Sequence, residues 1–539
     1  MEFKTLKELY EHSVSAFASR PSFSMYEGEG MTYAQFGERT REVQQTLLSA
    51  GLKGGDKVAL LSGNMPGWGV AYFAVVTMGM IIVPILPDFS GPELDKIIAH
   101  SDARALIVSD RLYSKISAKT LGAMNIVIRS KNLGVIARNV TEPGAAADPA
   151  PDDVAAIIYT SGTTSKPKGV MLMHHNLCRQ LEMVLTIQLV QSWDIFLSVL
   201  PLSHTYECSF GMLLPFRQGA SVVYLERPPT ASSLMPALKA VRPTHVLSVP
   251  LIIEKIYRSQ VLARFTRKKV SSVMYNIPLV RKAIHRVAGS TLKRAFGGRL
   301  RFFGVGGAKL DIDTERFLAE AKFPYAIGYG LTETAPLIAG AGVDLTRLGS
   351  TGPAMKGVQV RLENVNAATG EGEIVVLSPS TMKGYYKNPE ATKEVFTPDG
   401  WFRTKDLGNM DPDGYLYIRG RLNNMIVGPS GENIYPEEIE NVINGHFLVT
   451  DSIVKEEKGH LVALVHFNRE EMERRYQHLK EEWGYKMDEI KSELMQYVNS
   501  KVSKFSRISV VEEQASEFEK TPTHKIKRFL YIKNKKGHK

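Results

Sequence analysis

The sequence predicts an α/β protein built in more than one domain. Three observations carry that prediction. Residues 32–140 alternate helical and apolar-strand patterns: "REVQQTLLSAGL", "KVALLS", "AYFAVVTMG", "IIVPIL", "ELDKIIAHSDA", "RALIVS". Such alternation implies a parallel sheet covered by helices. A strand "AAIIYT" and a second alternating block, from Leu177 to about Gly340, imply another. From Gly349 the texture changes to short strands and turns, "VQVRLEN", "GEIVVLS" and "YLYIRG", which predict a small β-barrel-like piece. After Arg421 comes a mixed segment with a long charged helical stretch, "REEMERRYQHLKEEW" to "SELMQYVNSKVSKF".

Composition agrees with several cores. A chain of 539 residues is too long for one ordinary core. With 44% hydrophobic and 23% charged residues it has the profile of a soluble globular protein. Cys178 and Cys208 are its two cysteines, which leaves no disulfide framework or zinc spacing and fits the cytoplasm. The N-terminal "MEFKTLKELYEHSVSAF" carries acids and reads as an amphipathic helix, unlike a signal peptide. Val58 to Pro87 is free of charge, but Ser62, Asn64, Pro66, Pro84 and four glycines interrupt it. A buried strand–helix–strand unit fits it better than a membrane span. Residues 141–153, rich in Pro, Ala and Asp, read as a surface connection.

The formal net charge of +11 favours anionic partners: nucleotides, nucleic acid or a membrane surface. No RNP-like, zinc-finger or helix-turn-helix pattern occurs, so no nucleic-acid partner is expected. Residues 251–301 hold 13 Lys/Arg against one acid, Glu254. That is a solvated helical face or a surface for anionic lipid or CoA phosphates, with peripheral contact at the inner face of the membrane the sharper expectation.

The strongest local signal is Tyr159-Thr-Ser-Gly-Thr-Thr-Ser-Lys-Pro-Lys-Gly-Val170. An apolar strand ends in a loop of hydroxyls, glycines and lysines. Backbone N–H groups, hydroxyls and ammonium groups are what a polyphosphate requires. The loop is not a Walker A sequence, because the place of its second glycine, five residues after Gly162, is Pro167. Further along stand "LPLSHTYE" (200–207), "GVGGAKL" (304–310), "YGLTET" (329–334), "WFRTKDLG" (401–408), "IRGRLNN" (418–424), "GPSGENIYPEEIE" (428–440) and "TPTHKIKR" (521–528).

This series, in this order, resembles the adenylate-forming superfamily of acyl-CoA synthetases, luciferases and peptide-synthetase adenylation domains. It covers about Thr32 to Arg528. The resemblance implies a large N-terminal domain, residues 1–421, with two helix-covered sheets and the small barrel-like part. A small, mobile α+β domain, residues 422–539, would follow a hinge near Asn423. It implies ATP or AMP binding by Thr160, Ser161, Gly162, Thr163, Thr164 and Lys168 of the phosphate loop. Gly306, Gly307 and Ala308 would lie against adenine, as would Tyr329 with Gly330. Thr332 would face the phosphate, Asp406 the ribose, and Arg421 the ribose or phosphate. Mg²⁺ is expected on Glu333, with Thr160. His204 would border the acyl site, and Lys525 would be the cation of the adenylation step. Ser430, Gly431, Glu432 and Asn433 would line the CoA channel.

The expected substrates are therefore ATP, CoA and a carboxylic acid. Within the superfamily the chain looks most like bacterial long-chain fatty acid ligases, which implies a medium- or long-chain fatty acid. An acyl carrier protein is the alternative thiol acceptor. A non-catalytic sensor on the same fold is the competitor from another class, and the intact Lys525, Glu333 and Asp406 argue against it. A serine hydrolase is excluded by the lack of a Gly-x-Ser-x-Gly elbow. The chain departs from the common family pattern at Ser165, Lys405 and His524, where relatives often have glycine, and at Asn423 in the hinge.

Overall fold

The computed structural model describes residues 2–160, 167–226, 229–262, 275, 277–428, 432–476, 483–521 and 525–532. Among these residues, two eight-stranded sheets form the bulk of the molecule. In the first, strands Tyr325–Gly330, Phe302–Val305, His245–Ser248, Ile195–Ser198, Ser221–Tyr224 and Pro21–Met25 lie side by side. All five pairings between them are parallel, and antiparallel strands Leu337–Gly340 and Gly30–Thr32 close its edges. In the second, Val154–Thr160, Ile81–Pro84, Lys57–Leu61, Ala103–Val108 and Ile126–Arg129 are parallel neighbours. Strand Lys168–Met173 returns antiparallel to Val154–Thr160.

The uncharged run Val58 to Pro87 folds as strand Lys57–Leu61, helix Pro66–Val76 and strand Ile81–Pro84. Ten of the eleven helix residues, Gly67 through Val76, are buried. A helix apolar all round belongs in the interior, and this one joins a core cluster drawn from both sheets. Gly69 shows why it can sit so close. A Cβ there would come 2.5 Å from the Phe23 ring of the first sheet. No described helix is long and apolar enough to cross a membrane.

The short-strand region is a five-stranded antiparallel sheet in the order Gly352–Pro353, Tyr415–Arg421, Phe402–Met410, Gly372–Leu377, Gln359–Glu363. Beyond it, a third apolar cluster gathers residues from Ile434 to Val511. It lies between sheet Val449–Glu457, His460–Phe467, Val510–Glu513 and helices Pro436–Asn444 and Trp483–Lys501. This C-terminal part meets the large part through polar contacts. Lys501 pairs with Asp313 at 2.9 Å and Lys309 with Glu438 at 2.8 Å. The Tyr435 hydroxyl donates to Glu371 at 2.6 Å, and the Arg258 guanidinium donates to the carbonyl of Asn444.

Candidate active site

The basic tail is folded back into the molecule. Lys520 and Ile526 pair across a tight antiparallel bridge. The Thr521 N–H donates to the carbonyl of Lys525 at 2.7 Å, and the Lys525 N–H donates to Thr521 Oγ1 at 3.2 Å. Both ends of the segment are held by charge: Lys520 to Asp451 at 2.7 Å, and Arg528 to the buried Glu440 at 2.6 and 2.7 Å. Phe518, Ile526 and Tyr531 pack on Ile453 and Leu464. Residues 522–524, and with them His524, lie outside the described residues.

This anchoring carries the Lys525 ammonium into a cleft where Arg421, Asp406 and Glu333 all act on it. The lysine remains open to water in the cleft while protein surrounds it. Enclosure comes first and the Arg421 charge second in holding its pKa below the ordinary lysine value; Asp406 and Glu333 oppose both. Each neighbour has a defined local origin. Asp406 and Arg421 face each other in the register of two paired strands, with Arg421 Nε 3.3 Å from the carboxylate. The Tyr329 hydroxyl donates to the same carboxylate at 2.8 Å. Asp406 is 5% exposed; burial raises its affinity for a proton, against the pull of Arg421, the Tyr329 hydroxyl and Lys525.

Lys405, directly before this acid, has φ +60°. A β-carbon is strained there, so the backbone beside Asp406 has the geometry that suits glycine.

Glu333 sits in the short turn Thr332–Thr334 that follows strand Tyr325–Gly330. Its carboxylate accepts from the Tyr385 hydroxyl at 2.9 Å. Lys168 lies over the same Tyr385 ring at 4.8 Å, so one tyrosine links the acid to the flank of the phosphate loop. Thr160 and Lys168 are paired across that hairpin. Ser161, Gly162, Thr163 and Thr164 lie outside the described residues. Among the described residues no group of three or more His, Cys, Asp or Glu gathers to hold a metal. A half-buried carboxylate beside a phosphate loop nonetheless fits Mg²⁺, which keeps several waters and takes its other ligands from phosphates.

His204 also lies within reach of the Lys525 charge. Burial first, and that charge second, push its imidazole down to about 4, so it is neutral. Its Nδ1 accepts the N–H of Tyr206 at 3.3 Å, which leaves the proton on Nε2. Gly306, Gly307 and Ala308 form the turn after strand Phe302–Val305, and Gly307 has φ +86°. The Tyr206 ring lies 3.3 Å from where a Cβ of Gly306 would stand. At Gly330 a Cβ would sit 1.9 Å from the carbonyl oxygen of Pro336, so no side chain fits.

Asn423 is exposed, in the turn Leu422–Asn424 that leaves the five-stranded sheet. Ser430 and Gly431 lie outside the described residues. Asn433 pairs with Val427, and the Glu432 carbonyl accepts the N–H of Gly428 at 2.8 Å, so both bond locally. Sequence reasoning missed Tyr385, Tyr206 and Glu437, the last of which acts on both Asp406 and Arg421. The aromatic pair in "KGYYKNPE" was the available signal for Tyr385. Nothing in the sequence ties it to Glu333.

Beside Tyr206 opens a small apolar pocket of about 50 Å³. Gly304, Ala326, Gly328 and Gly340 lie along one side of it, Val184 and Phe210 among the residues of the other.

Comparison with known proteins gives this arrangement its context. A long-chain-fatty-acid–CoA ligase, FadD15, of Mycobacterium bovis is 29% identical over 459 residues, covering 79% of this chain and 75% of the relative. A feruloyl-CoA synthase of Amycolatopsis is 32% identical over 432 residues, covering 78% and 79%. The fold matches that of ATP-bound MatB from Rhodopseudomonas palustris with a TM-score of 0.77 at 24% identity, covering 98% of each chain. The family model described as AMP-binding enzyme matches residues 10–386, and the chain belongs to that family.

Proposed function

We propose that the chain is an AMP-forming acyl-CoA ligase acting on medium- or long-chain fatty acids. The observation that carries the reading is the Lys525 ammonium set among Arg421, Asp406 and Glu333, within reach of His204. A free carboxylate is a poor acyl donor. Its oxygen attacks the α-phosphate of ATP, an O–P bond forms, the bond to the β-phosphate bridge breaks, and pyrophosphate leaves. The thiol of CoA then attacks the acyl carbon of the adenylate, and AMP departs with the bonding pair.

The first step brings two anions together, and this chain supplies the means. Asp406 accepts hydrogen bonds from ribose hydroxyls, and Arg421 contacts the ribose or phosphate. Tyr329 lies against adenine, its ring held by the hydroxyl's bond to Asp406. Lys525 offsets charge growing on the α-phosphate, an effect typically worth about 10²–10³ in rate. Glu333, with Thr160, would hold magnesium, which would supply further positive charge at the phosphates. His204, neutral, borders the carboxylate without adding charge.

The second step needs other groups at the same place. Residues 422–539 act as a mobile domain that turns about Asn423, exchanging the Lys525 face for that of Ser430, Gly431, Glu432 and Asn433. The few polar contacts joining the two parts support such a movement, since surface ion pairs are individually weak.

Pyrophosphate release across acids from acetate to palmitate, with free CoA or acyl carrier protein as acceptor, tests the reading. Turnover of medium or long acids with free CoA is expected. Turnover only with the carrier protein, or only with aromatic acids, would sink it. The protein is expected in the cytoplasm. Helix Pro278–Ala295 exposes Leu279 at 81% and Val287 at 70% among Lys282, Arg286, Lys293 and Arg294, which supports peripheral contact with anionic lipid. Sedimentation with vesicles should then weaken as salt rises, and indifference to anionic lipid would refute the contact.

A further inference from the structure

We propose that Phe196, His245 and Phe302 form the closed end of the acyl pocket and set the longest acyl chain the protein accepts. The inference rests on the acyl-ligase reading above and adds which residues measure the substrate.

Phe196 lies opposite His245, and His245 opposite Phe302, on three adjacent parallel strands. Side chains in register on neighbouring strands share a face, and so do residues two apart along a strand. The rings therefore form one row across the sheet near the strand starts. Two residues further on, the same face carries Leu247 and Gly304, with Ala326 opposite Gly304. Beyond these it carries Gly328, paired with Gly340. The face thus steps down from rings to glycines toward the strand ends where Gly306 and Tyr329 lie. A trough results, open at the adenylate end and walled at the other.

The wall is stiff. The imidazole of His245 stacks on Phe196 with centroids 4.5 Å apart and planes at 11°, and lies 5.8 Å from the ring of Phe302. Its Nε2 accepts from the Gln188 amide at 3.1 Å, so Nδ1 carries the proton and donates to Thr244 Oγ1 at 3.0 Å. Behind it, the fully buried Asp194 is paired with Arg301 at 3.0 and 3.1 Å. Burial pushes His245 down to about 4, so the ring that faces the pocket is uncharged and compatible with an alkyl end. A leucine in its place would fill similar space but could not be bonded at two edges.

The test compares kcat/KM for hexadecanoate and octanoate, read by pyrophosphate release. His245→Ala removes the middle of the wall and should raise the hexadecanoate-to-octanoate ratio about tenfold or more, since each methylene accommodated is worth roughly 10-fold and upward. His245→Phe keeps the wall and should leave the ratio within about threefold. Gly340→Val fills the trough in front of the wall; the Cβ position there has Ile187 Cδ1 at 3.3 Å and no strained φ. It should lower the ratio about tenfold. A ratio unmoved by both His245→Ala and Gly340→Val overturns the proposal, and Gly340→Val alone decides if His245→Ala does not fold. If the parent protein activates no fatty acid but does activate aromatic ones, the fatty-acid reading fails instead, and the same variants on benzoate against cinnamate decide the wall.

Discussion

The charged end of the site and its apolar end are built in opposite ways. Asp406 and Arg421 come from one pair of strands, Glu333 from a turn of another sheet, and Lys525 from a segment close to the C-terminus. The apolar pocket, by contrast, is lined along one side by a single sheet, with His245, Phe302, Gly304, Ala326 and Gly340, and on the other by residues such as Val184, Phe210 and Leu214. On the reading proposed above, a turn of residues 422–539 would carry Lys525 away from the charged end, whereas the pocket would change only by repacking. A two-step reaction needs that division: the acyl group stays while the groups around the phosphate change.

The largest expected effect breaks the charged end alone. Lys525→Ala should slow acyl-adenylate formation by about 10²–10³. It should leave thioester formation from supplied acyl-AMP nearly unchanged, measured as separate half-reactions. Equal loss in both would show that Lys525 serves folding or both steps. The alkaline fall of adenylation should also come at a lower pH than an ordinary lysine would give, because its pKa is depressed. Lys525→Arg should move that fall upward.

A second experiment asks what an acid costs outside the charged end. Glu207 is 1% exposed, and burial lifts its carboxyl to about 8 against the pull of the Ser198 hydroxyl. Its folded pKa exceeds its unfolded one. The stability it contributes is therefore full below the ordinary glutamate value of 4.5, and is lost as pH rises to about 8. The loss is on the order of 4–5 kcal/mol at most. Glu207→Gln should flatten this slope, raising Tm at pH 9 relative to the parent more than at pH 5. A parallel pH dependence in both proteins would mean the carboxyl finds a partner when ionised.

The smallest effect concerns strain beside the charge. Lys405→Gly should relieve the left-handed backbone before Asp406 and stabilise the protein by about 0.5–1 kcal/mol, less the entropy glycine adds to the unfolded chain. Thermal denaturation reads it. A loss of stability would mean that the lysine side chain is anchored more firmly than its backbone is strained.

Much of the charged end was legible because each motif brings its own residue type: an acid in "WFRTKDLG", an acid in "YGLTET", a lysine in "TPTHKIKR". The strand–helix–strand reading of Val58 to Pro87 was legible too, since interrupting prolines and glycines mark turns in any context. Tyr385 was not, because its importance is its bond to Glu333, 52 residues away. His245 was not, because a histidine in an apolar strand has no signature until its neighbours across the sheet are known.

By itself the sequence determined the α/β class, the order of the motifs and the kinds of charge the reaction needs. These depend on residue identity and local spacing, which a linear chain carries in full. Only the tertiary structure decided that Lys525 reaches the site, because the Lys520–Asp451 and Arg528–Glu440 pairs hold the segment on either side of it. Only the tertiary structure gave the pocket its wall, because strand register decides which rings stand side by side. Pairing and register depend on contacts between distant segments, and those exist only once the chain has folded.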